Sequence, residues 1–162
     1  MGRLFFVCAL TSFCAVAAAQ HSAEAPAVMK FATATFAILP NQPDCMTVAV
    51  ERGDPAKGPS SVLVKMTSSC DSRTHWHSAD ASVLAISGTT QLEIKGEKTA
   101  SMQRGDFAYM PAHHIHRERC TGTASCVFYV ELYGPFDVHY VDAAENEIPD
   151  AEALRGAKKP AH

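Results

Sequence analysis

Eight histidines occur in this 162-residue chain, and two of them stand two apart in "HWHSADASVLAISG", residues 75–88. A third, His116, closes the stretch "GDFAYMPAHHIH". In an extended strand, residues two apart point to the same face. His75 and His77 can therefore aim both imidazoles at one point, with Trp76 facing away. Gly105 and Pro111 supply a turn that delivers His116 onto another strand. Three imidazoles converging from adjacent strands make a facial ligand set for one divalent transition metal, whether zinc, iron, copper or nickel. His114 shares the parity of His116 and is a candidate fourth nitrogen ligand or a hydrogen-bond donor behind the first three. Its rival reading is a surface histidine. His113 has the opposite parity and should reach solvent. His139, in "DVHYV", reads as a satisfied strand histidine, and His21 and His162 are terminal.

The elements that must position these groups are short. "FATATFAIL", "MTVAVE", "SVLVKM", "SVLAIS", "TQLEIK", "FAYM", "CVFYVELY" and "DVHYV" follow one another as apolar or alternating runs. Turn-forming clusters such as "LPNQPD", "RGDPAKGP", "SGTT" and "KGEK" separate them. Many short strands with period-two alternation predict an all-β antiparallel sandwich or barrel. No helical period is convincing before residue 143. The segment 143–162, acidic at first and basic at its end, reads as a polar tail with room for a short helix near 150–156.

With both histidine stretches in view, the chain resembles the cupin superfamily. Of the first cupin motif, His75, His77 and Gly88 fit the spacing, while Ser69 stands at the opening glycine and Ala81 at the glutamate. Of the second, Gly105, Pro111 and His116 fit, while His113 replaces the inner glycine and Cys120 the closing asparagine. Residues 89–104 between the motifs suit one hairpin. The flanks "RGDPAKGP" and "GPFDVHYV" look like those of small single-domain bacterial cupins. The resemblance implies a cupin-type jelly roll, or double-stranded β-helix, over residues 30–142, with a metal inside and often a homodimer. It also implies that a glutamate joins the three histidines. Ala81 offers a methyl group instead, which leaves the site one unit more positive and opens a coordination position. Three histidines alone still suffice for a divalent ion.

Two carboxylates compete for the vacant role. Asp80 is adjacent but one residue out of register, which turns it to the opposite face unless a bulge intervenes. Glu118 has a better case. If Cys120 lies opposite Cys126 in a hairpin, then His116 faces Val130, Glu118 faces Phe128 and His114 faces Leu132. That face carries His116 and so points inward. Glu118 is then a surrogate ligand or a catalytic general base; its rival readings are a solvated carboxylate at the mouth or a partner for Lys65.

The chain opens on "MGRLFFVCALTSFCAVAAAQ", which reads as a signal peptide over residues 1–19 followed by a loose leader over 20–29. Cleavage would make the mature protein periplasmic or secreted, with no membrane segment remaining. It would also remove Arg3 from a chain whose formal charge is −3. No basic block interleaves with aromatics, which gives no support for nucleic-acid binding. Of the six cysteines, four would remain after cleavage. An even count in an oxidising compartment suggests two disulfides, with three possible connectivities. Cys120 and Cys126 flank the turn-like "TGTAS" and can bridge, which leaves Cys45 with Cys70. The rival for Cys70 is a metal or redox thiol.

Two functions follow. One is a metal-dependent enzyme of the oxygenase or Lewis-acid type acting on a small-molecule substrate. The other is a non-catalytic periplasmic module that binds a small molecule or metal at a degenerate site. A third and weaker idea is redox or metal sensing through Cys70 and Cys120.

Overall fold

A computed structural model describes residues 27–156. The expected signal peptide over 1–19, most of the leader over 20–29, His21, His162 and the last six residues lie outside the described residues.

Ten strands form in chain order: β1 (Met46–Gly53), β2 (Ser60–Met66), β3 (His75–Trp76), β4 (Ala81–Ser87), β5 (Thr90–Ile94), β6 (Ala100–Met102), β7 (Phe107–Met110), β8 (His116–Cys120), β9 (Cys126–Leu132) and β10 (His139–Tyr140). They make two five-stranded sheets, ordered β1-β2-β9-β4-β7 and β10-β3-β8-β5-β6, with every pairing antiparallel. This is the all-β jelly roll expected of a cupin. Alternation produces it. In β2, Val62, Val64 and Met66 line the interior cavity, while Ser61 and Leu63 line a shallow depression elsewhere on the surface.

Two expected elements differ. "FATATFAIL" forms a 3-10 turn at Phe31–Thr33 and a single bridge from Ala37 to Val48, with no full strand. Its apolar side chains are mostly exposed and give a longer ladder nothing to bury. The polar segment after 142 is partly built in. Val141 bridges Glu147, and one helical turn, α1, spans Asp150–Ala153.

The hairpin expected between β8 and β9 is not a ladder. β8 pairs with β3 and β5, whereas β9 pairs with β2 and β4 in the other sheet. The "TGTAS" linker crosses between sheets, and the Cys120–Cys126 disulfide spans that corner with its Cα atoms 5.8 Å apart. Glu118 therefore sits opposite Leu92, not Phe128. Cys45 is bonded to Cys70, so Cys70 is not a free thiol.

Backbone shape survives where the cupin motifs lose their glycines. Ser69 has φ 62° and His113 has φ 62°, the left-handed conformation that glycine adopts without steric cost. Gly88 keeps its glycine for a further reason. A Cβ there would come within 2.7 Å of the Cys126 Cα.

Candidate metal centre

The ligands come from one sheet and its margin. His75 lies directly opposite His116 in the β3–β8 pair. β3 ends at Trp76, so His77 stands one residue beyond the ladder. Trp76 turns away as expected and stacks on His139, with ring centroids 3.8 Å apart and planes 4° from parallel. His113 also contacts this indole, with ring centroids 4.7 Å apart and planes tilted by 43°.

Each of the three rings is aimed by a backbone carbonyl. His75 Nδ1 lies 2.8 Å from the Arg73 carbonyl oxygen, His77 Nδ1 2.5 Å from that of Asp137, and His116 Nδ1 2.7 Å from that of His114. A carbonyl only accepts, so each Nδ1 must carry the proton and each Nε2 must be a bare lone pair. The tautomer is thereby fixed in the form a metal ligand needs.

One ligand atom from each of the three residues lies within 4.8 Å of the other two. The Nε2 atoms of His75 and His77 are 3.1 Å apart. Neither carries a proton, so they cannot hydrogen-bond to each other, and their lone pairs repel. A shared cation removes the conflict. Two nitrogens, each ~2.0–2.1 Å from a zinc-sized ion, lie about 3–3.4 Å apart at ordinary coordination angles. The donor set fits a divalent transition metal.

Electrostatics agree with that fit. Burial, followed by the neighbouring His116, pushes His75 down to about 3. The same two causes lower His77. Both rings are therefore neutral at physiological pH, as ligands must be.

Glu118 reaches the same place. Its Oε1 is 3.4 Å from His116 Nε2, and Ser72 Oγ donates to its Oε2 at 2.6 Å. The Glu118 amide in turn donates to Ser72 Oγ at 2.8 Å. Burial raises the Glu118 carboxyl, but His116, His75 and the Ser72 hydrogen bond outweigh it, and the net shift is downward. The side chain retains 25 % exposure and is one of the groups lining the interior cavity. Glu118 does not join the three histidines within their mutual spacing. Two ligands of one such ion can be at most about 4.2 Å apart. Its carboxylate stands beside the histidine cluster, against His116.

The other candidates are elsewhere. His114 is exposed, with Nδ1 3.3 Å from the Ala112 carbonyl, and only its own backbone oxygen serves the site. The turn at Pro111 breaks the alternation on which its inward parity relied. Asp80 accepts from Tyr109 Oη and from the Ala112 amide, each at 2.8 Å. It braces the turn that leads to His116 and is no ligand. Lys65 pairs with no carboxylate near Glu118; its Nζ lies 5.9 Å from the Phe36 ring centroid.

Sequence reasoning missed Ser72 and the carbonyl of Asp137. Ser72 carried a faint signal as a small polar residue just ahead of a ligand strand; a backbone carbonyl carries none. Asp71 was missed too. It receives Arg117 Nε and the Arg73 amide, each at 2.9 Å, and so ties the Ser72–Arg73 segment to β8.

The histidines open onto a cavity of about 120 Å³ between the sheets. Ala81 lies in its wall, 6 % exposed, in one apolar cluster with Val62, Leu132, Val130 and Phe136.

Comparison with known proteins converges on the same fold. The polyketide cyclase RemF from Streptomyces resistomycificus superposes with a TM-score of 0.63 at 15% identity, over 80% of this chain and 99% of that one. An RmlC-like cupin from Shewanella frigidimarina gives 0.55 at 11%, over 68% and 92%. The DMSP lyase DddQ from Ruegeria pomeroyi gives 0.55 at 16%, over 74% and 62%. No curated protein matches the chain in sequence. A family model described as a cupin domain matches residues 62–132, the span that holds both histidine stretches. With motif, barrel and family model in agreement, residues 62–132 of this chain are a cupin domain.

Proposed function

We propose that this chain is an exported cupin that binds one divalent transition metal through Nε2 of His75, His77 and His116. It uses that site as an enzyme on a small-molecule substrate. The observation that carries the reading is the fixed tautomer: three bare nitrogens share one spot, each with its other nitrogen held by a carbonyl. When bound, zinc, iron, copper or nickel supplies Lewis acidity, and iron or copper also supplies redox capacity. Glu118 accepts a proton from a substrate or water oxygen at the site, and Ser72 holds the carboxylate in place for that transfer. Two disulfides support an oxidising compartment.

Enzyme names on two of the neighbours, a cyclase and a lyase, describe those proteins. Here the enzyme reading rests on Glu118, because a mere metal holder has no need of a carboxylate beside its coordination sphere. Ala81 favours the second reading, a non-catalytic binding module, since it removes the usual acidic ligand. Elemental analysis of protein purified without an affinity tag decides whether a metal is held at all, and an absence of metal overturns the proposal. Glu118→Gln separates the two readings. It should keep its metal and lose the proton transfer, and loss of metal instead would make Glu118 a ligand.

A further inference from the structure

We infer that the site takes a neutral, compact and largely apolar molecule, one ring or an equally short branched chain with a single hydroxyl or carbonyl oxygen. Its body would lie against Ala81 and its oxygen at the metal. The inference rests on the metal-binding reading above and names its substrate class.

Charge gives the first argument. No lysine or arginine lines the cavity, and its one carboxylate is Glu118. A phosphate, sulfate or dicarboxylate would find no cation besides the metal and would face that carboxylate at close range. A divalent ion with three neutral histidines and Glu118 keeps one net positive charge, so a dianion would leave the buried site net negative, which is costly.

Polarity gives the second. Besides the ligands and Glu118, only Gln42, Ser72 and Thr90 bring polar side chains to the lining, and Ser72 is spent on Glu118. Sugars and other polyols would leave most of their hydroxyls unpaired. The remaining wall is valine, leucine, methionine, alanine, proline and phenylalanine. Met46, Met66, Met102 and Met110 all line it, and their flexible thioethers adapt to the outline of an apolar guest.

Size and position give the third. A cavity of about 120 Å³ is close to the ~150 Å³ that accommodates benzene. Ala81 stands where cupins carry the acidic ligand, yet it belongs to an apolar cluster with Val62, Leu132, Val130 and Phe136. Space that a carboxylate would fill is thus an apolar seat in the cavity that the ligands also line. The alanine makes room for substrate.

Calorimetric titration of the zinc-loaded mature protein tests this, with phenol and phenyl phosphate as probes and zinc content measured in every sample. The two share a ring, and in water the phosphate dianion is the better zinc ligand. The cavity should reverse that order by about tenfold or more, because the dianion exceeds the one positive charge left at the zinc and Glu118, a cost of over 1.4 kcal/mol. Ala81→Leu should keep its zinc and lose phenol binding by about tenfold. Phenyl phosphate binding as tightly as phenol, with zinc present, overturns the inference and leaves the metal reading standing. So does unchanged phenol affinity in Ala81→Leu. Protein that takes up no zinc overturns both.

Discussion

The two sheets meet across one cavity with different materials. The sheet β1-β2-β9-β4-β7 has four strands of seven or eight residues and presents Val48, Val62, Val64, Val83, Phe128 and Val130. The sheet β10-β3-β8-β5-β6 has strands of two to five residues and, with the residue just past β3, supplies three imidazoles and Glu118. One wall gets its shape from long alternating ladders. The other gets its chemistry from short strands that leave carbonyls free to aim side chains. Backbone groups saturated by a long ladder could not hold His75, His77 and His116 this way.

If that division is real, damage to each wall should read out differently. His77→Ala removes one of three ligands from the chemical wall. Metal affinity should fall by at least about 100-fold, while the metal-free protein melts near the wild-type temperature. The check is metal stoichiometry beside melting with and without chelator. Phe128→Ala opens a hole in the shaping wall and should cost about 3–5 kcal/mol in denaturant unfolding. Its metal stoichiometry should stay unchanged in protein that remains folded. If each variant failed in both assays, the sheets would not be separable.

pH sharpens the contrast, since the histidines that line the cavity all belong to one wall. His75 is neutral when folded, held at about 3 against an ordinary value of 6.5. Between those values the unfolded chain takes up a proton that the folded chain refuses. Metal-free stability is therefore full above about pH 6.5 and falls as pH drops, by about 1.4 kcal/mol per unit from this residue alone. Denaturant midpoints measured from pH 7 to pH 4 check it, and a flat profile would refute it. The smallest effect is expected at a hinge between the walls. Ser69→Gly relieves a left-handed backbone and should stabilise by up to about 1 kcal/mol, leaving metal binding untouched.

Much of this was legible in the residues. Alternation and turn chemistry carry the jelly roll, because strand period and turn type are local properties. His75, His77 and His116 could be grouped because strand parity and a proline turn are also local. Glu118 was read as inward through the wrong partner. The supposed ladder to β9 does not exist, yet parity within β8 alone turns Glu118 to the same face as His116. His114 shows the limit of that logic, since parity fails once Pro111 and the left-handed His113 interrupt the strand. Which sheet a strand joins, and which distant carbonyl receives a ring nitrogen, depend on the closed barrel and leave no mark on composition or spacing.

One of those distant carbonyls sets an order of events. His77 is aimed by Asp137, sixty residues later in the chain, in the loop that precedes β10. β10 in turn pairs only with β3, placing His139 opposite Trp76 and Tyr140 opposite His75. A nascent chain truncated before residue 137 has all three histidines and no means of orienting the second. The histidine cluster is therefore complete, with every ring held, only once the final strand has docked against β3.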